Sequence, residues 1–102
     1  MATYITHDGV ITEVHPADGR QFTRFEIGKF VGDWVNVVYL ERGWGLVRTI
    51  EGDVMIVNGY CMQLRPVNPT ATEIYRLTKS YDAFRDPIWG DELVCRREEN
   101  YY

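Results

Sequence analysis

The sequence predicts an α+β fold, a curved and mainly antiparallel sheet carrying two short helices. Three observations lead there. Short β-rich runs follow one another across tight Asp-Gly, Arg-Gly and Asn-Gly turns, which antiparallel neighbours permit and parallel ones do not. Only two stretches carry helix start signals, near Thr23 and Asn68. The chain has 102 residues, 45% of them hydrophobic, enough for a single domain over 1–102 and too few for two.

The elements follow in order. Thr3–Thr6 and Val10–His15 read as strands around a His7-Asp8-Gly9 turn. Pro16 stops the second, since it has no N–H for a ladder. Thr23 and Glu26 form a capping box, with Phe22 and Ile27 placed as its hydrophobic staple. The helix runs over Arg24–Val31 and ends at Gly32, and Phe25, Phe30 and Val31 continue its apolar stripe. Trp34 to Leu40 is apolar on both faces. That predicts a central strand with helices on one side and a second layer or a partner subunit on the other. Trp44 to Ile50 returns as a strand. Val54–Val57 and Tyr60–Leu64 flank Asn58-Gly59 as a hairpin.

Asn68 as N-cap and Pro69 at the first helical position open the second helix, with Thr70 and Glu73 as a rival capping box. Its buried stripe is Ala71, Ile74, Tyr75, Thr78 and Tyr81. Leu93 to Arg96 is a last strand, and Arg97 to Tyr102 a polar tail. The predicted order is β-β-α-β-β-β-β-α-β.

The run from Gly9-Val10-Ile11 through Glu13-Val14 to Pro16 is followed by Phe22-Thr23 and Val31-Gly32. Met55-Ile56-Val57-Asn58-Gly59, Pro66-Val67-Asn68, Ala71-Thr72 with Tyr75, and Ile88-Trp89-Gly90-Asp91 come after. This succession resembles a family of small proteins of phages, plasmids and conjugative elements, the domain of unknown function numbered three-eight-four-six. Two features depart from it. The family's turn has an acidic residue between asparagine and glycine, and the Arg42 to Asp53 hairpin is longer here. The resemblance implies a fold and a mobile-element setting, and no activity.

Composition narrows the function. The net charge is −4, which argues against a generic nucleic-acid binder with its basic face. No run of about 18 apolar residues exists to span a membrane. Met1 to Pro16 has no secretory pattern, so the expected location is the cytoplasm, that of a host cell if the chain is phage-encoded. Two cysteines, Cys61 and Cys95, are expected as reduced thiols on strands.

No catalytic set can be assembled. His7-Asp8 reads as a turn. Cys61 has no activating neighbour. Zinc would need His7, His15, Cys61 and Cys95 together, without close-pair spacing, so neither metal nor cofactor is expected. The carboxylates of Asp91-Glu92 and Glu98-Glu99 point opposite ways on a strand. Gly43-Trp44-Gly45 lacks the third glycine and the context of a phosphate loop.

Five binding candidates remain. Trp44 lies between two glycines, and Arg48 shares its strand face. Trp89 stands before the Gly90-Asp91 corner, which adds Asp91, and each tryptophan is alternatively core. Asn68 begins a helix, whose free N–H groups suit an anion, although capping accounts for it. These features predict a non-catalytic module that acts by protein–protein contact; the resemblance to a mobile-element family implies interference with a host defence system as its role. The alternative is capture of a nucleotide-like ligand by Trp44, Arg48 or the Asn68 helix end. The two-faced Trp34–Leu40 strand also suggests a homodimer. A small enzyme is the third reading.

Overall fold

A computed structural model describes residues 2–32, 35–40, 53–58, 65–78 and 87–100. The elements are β1 (Ala2–Ile5), β2 (Ile11–Val14), α1 (Arg24–Val31), β3 (Val35–Tyr39), β4 (Val54–Asn58), α2 (Pro69–Thr78) and β5 (Glu92–Cys95). A 3-10 turn, Arg97–Glu99, follows β5. The fold is α+β, as expected. The five strands lie in the order β2-β1-β5-β4-β3, and every described pairing is antiparallel. The expected strands Trp44–Ile50 and Tyr60–Leu64, and Cys61, lie outside the described residues.

Strand parity divides the interior into two cores. Val54, Ile56, Leu93 and Cys95 face one side and join Ala2, Phe22, Ile27 and Val31 beneath α1. Met55, Val57 and Val94 face the other and join Ile5, Leu40, Ala71, Ile74 and Ile88 beneath α2. Successive side chains alternate across a strand, so β4 and β5 must be apolar at almost every position to feed both cores. Each helix therefore covers its own face of the sheet. This corrects the expectation for Trp34–Leu40. Its apolar residues serve two helix layers: Val35 and Val37 pack on the α1 side, and Val38 on the α2 side. Among the described strands it is terminal in the order, and β5 is central.

Two local devices set the geometry of α1. Thr23 Oγ1 accepts from Glu26 N at 3.2 Å, and Glu26 Oε1 accepts from Thr23 N at 3.0 Å. Phe22 and Ile27, both fully buried, close the staple. The stripe then departs from expectation. Phe25 is 71% exposed. It lies two residues from Ile27, about 200° around a 3.6-residue helix, so it faces solvent when Ile27 faces the sheet.

The segment Arg97 to Asn100 is not a free polar tail. Glu99 and Asn100 are buried. Phe22 N donates to Glu99 O at 2.7 Å, and Gln21 Nε2 donates to Asn100 O at 3.2 Å. The segment thus ties the chain after β5 to the entry of α1.

Candidate functional site

Three of the five sequence candidates converge at the corner where α2 begins. Val67 and Trp89 form an isolated antiparallel bridge. Asn68 N donates to Ile88 O, and Gly90 N to Pro66 O, each at 2.7 Å. Gly90 has φ +76°, and a Cβ there would stand 3.0 Å from Arg65 Cδ, so the tight corner favours glycine. Trp44 and Arg48 lie outside the described residues.

Asn68 is wholly buried, and all of its groups are engaged. Its Oδ1 accepts from Ala71 N at 2.9 Å, which caps α2. Its Nδ2 faces three oxygens with two hydrogens: Ile5 O at 3.1 Å, Gly90 O at 2.9 Å and Glu92 Oε2 at 2.6 Å. Its carbonyl accepts from Thr72 Oγ1 at 2.8 Å, and that hydroxyl accepts from Ile88 N at 2.9 Å. Asn68 is thus the N-cap the sequence expects, and its side chain serves the structure. The residue fastens the start of α2 to β1 and β5, and no surface opens to a ligand at its side chain.

Glu92 is the electrostatic oddity of this corner. It is 0% exposed, and its Oε1 has no hydrogen-bond partner among the described residues. Burial pushes its carboxyl up to about 9, against the opposing effect of the Asn68 bond. It is a neutral acid at pH 7, and neutrality is what makes its burial tolerable.

Asp91, half-exposed, looks the other way. Its Oδ2 accepts from Tyr4 OH at 3.1 Å, and its Oδ1 from His7 N at 3.0 Å. His7 Nδ1 lies 3.1 Å from the same Oδ1. Burial first, and then the Asp91 carboxylate, push the Tyr4 phenol up to about 12, so it stays a donor. The fold pairs His7 with Asp91, and the expected His7-Asp8-Gly9 turn is present. Asp8 bonds the Thr6 hydroxyl within the β1–β2 turn. An aspartate on one ring nitrogen orients an imidazole as a base would need. Among the described residues, however, no hydroxyl or thiol is recorded in hydrogen-bond contact with that ring. Cys95 is buried, and desolvation pushes its thiol up to about 12, which leaves little thiolate. No three His, Cys, Asp or Glu side chains gather as a metal site among the described residues.

A different surface, which the sequence did not offer, is open. Arg24, Phe25, Gly28 and Lys29 occupy one outer face of α1 at i, i+1, i+4 and i+5. They line a depression of about 550 Å³. Phe25 stands in it with Lys29 Nζ 4.6 Å from its ring centre. A Cβ on Gly28 would meet nothing within 4 Å, so the floor of the depression is free. The signal was partly present in the spacing: Phe25 and Lys29, four residues apart, lie on the side of α1 away from Ile27 and Val31, with Arg24 and Gly28 along the flank between.

No family model matches the chain, and neither a curated protein nor a solved structure matches it.

Proposed function

We propose that this protein is a non-catalytic binding module that acts by protein–protein contact through the outer face of α1. The observation that carries this reading is Phe25, a large aromatic 71% exposed on a rigid, capped helix beside an open depression. An aromatic anchor held by secondary structure costs little conformational entropy on binding, and such anchors dominate interface energetics. The resemblance to a mobile-element family supports the setting: a small stoichiometric factor made in a host cytoplasm, of the kind that blocks a host defence system. The nucleotide-like ligand reading rests on Trp44 and Arg48, because the Asn68 side chain is buried and its Oδ1 is spent on capping Ala71 N.

Native mass spectrometry of the tagged chain, recovered from host lysate under gentle conditions, separates the two. The expected result is a second component of protein size that leaves on dissociation. Extra mass of only a few hundred daltons, lost on denaturation, would contradict the protein-contact reading and support the ligand one.

A further inference from the structure

We infer that the partner presents an acidic segment, an apolar side chain flanked by carboxylates, to the Arg24–Phe25–Gly28–Lys29 face of α1. The inference rests on the protein-contact reading and specifies its chemistry. The argument is one of charge. The chain as a whole is acidic, at −4, yet this face presents two cations around an aromatic ring. No carboxylate pairs with Arg24 or Lys29 among the described residues. The acids close by in sequence are already committed to backbone amides. Glu26 accepts from Thr23 N and Ala17 N, each at 3.0 Å. Asp18 accepts from Arg20 N at 2.7 Å and Gln21 N at 2.9 Å. Both carboxyls are held below their ordinary range by those bonds.

Arg24 adds a second argument. It is the first residue of α1, where the helix dipole is positive and a cation is disfavoured. A basic side chain there does nothing for the helix. It does place a guanidinium, with five donors, at the rim of the depression, where a carboxylate can take two of them. Lys29 also lines the depression, with its Nζ 4.6 Å from the centre of the Phe25 ring. Between them, Gly28 leaves space for an apolar side chain to rest against Phe25. Apolar contact in the middle and ion pairs at the rim form the arrangement that interfaces use for affinity and register.

The test is a peptide array with randomised apolar centres and acidic, neutral or basic flanks, probed with the full chain. Wild type is expected to retain acidic-flanked peptides at least tenfold over basic-flanked ones, with retention falling as salt rises. Phe25→Ser is expected to lose them. The double reversal Arg24→Glu with Lys29→Glu is expected to invert the preference. It should stay folded, because a glutamate at 24 suits the first turn of the helix and one at 29, in the last turn, costs little at that exposed site, and circular dichroism checks this. Binders without acidic bias, or a bias that survives the reversal, would overturn the inference. So would a concentration-dependent dimer in sedimentation velocity that Phe25→Ser abolishes, because the occupant would then be a second copy. Protein capture that persists with Phe25→Ser would instead overturn the placement of the contact surface on α1.

Discussion

Asn68 and Glu92 make a buried pair in which an amide and a neutral acid each limit what the other can be. Replacing Asn68 with Ala removes the α2 cap and strands Ile5 O, Gly90 O and Glu92. The expected cost is about 3 kcal/mol, summing a lost cap with an orphaned buried acceptor. Asn68→Asp is the sharper variant. It keeps the capping oxygen, and as a cap alone it would be nearly silent. Here it replaces the Nδ2 donor with an oxygen facing three oxygens, so urea denaturation is expected to show a loss at least as large as for Ala. A silent Asn68→Asp would contradict the network. Glu92 sets a pH dependence. Its folded carboxyl titrates near 9 and its unfolded one near 4.5, so the native state holds the proton more tightly. Stability from this group is complete below about 4.5, falls as pH rises through the window, and is gone above about 9. Glu92→Gln is expected to flatten the fall in urea midpoint between pH 5 and pH 9. An unchanged slope would place the dependence elsewhere.

At the scale of elements, α1 separates residues that fold the chain from a residue that does not. Ile27 is fully buried and Phe25 is 71% exposed, two positions apart on one helix. Ile27→Ala is expected to cost about 2–5 kcal/mol, whereas Phe25→Ser is expected to stay within about 0.5 kcal/mol of wild type, both by chemical denaturation. Thr23→Ala, which breaks the capping box, falls between them at about 1 kcal/mol. The local signals of the elements were legible in the sequence because they are short-range. The Thr23–Glu26 box, the Asn68-Pro69 start and the His7-Asp8-Gly9 turn all lie where the residues place them. What was not legible needed partners distant in the chain. Asp91 meets His7 across 84 positions, and Glu99 meets Phe22 across 77. Phe25 was misread because Phe25, Phe30 and Val31 look like one stripe until Ile27 fixes which side faces the sheet.

For the whole molecule, strand parity decides the architecture. A sheet that feeds Leu93 and Cys95 to one helix and Val94 to the other needs apolar side chains on both faces, and a reading by apolar content alone cannot tell a second helix from a partner subunit. With each helix spent on its own core, the outer face of α1 is left as an exposed aromatic surface, flanked by two cations on an acidic chain. The central claim is that Phe25 is kept for contact and contributes nothing to folding. Its most direct measurement is quantitative capture of proteins from one host lysate by wild type and Phe25→Ser side by side, at matched folded concentration. The account predicts a protein retained by wild type and at least tenfold depleted with the variant. Equal retention by the two chains would contradict it.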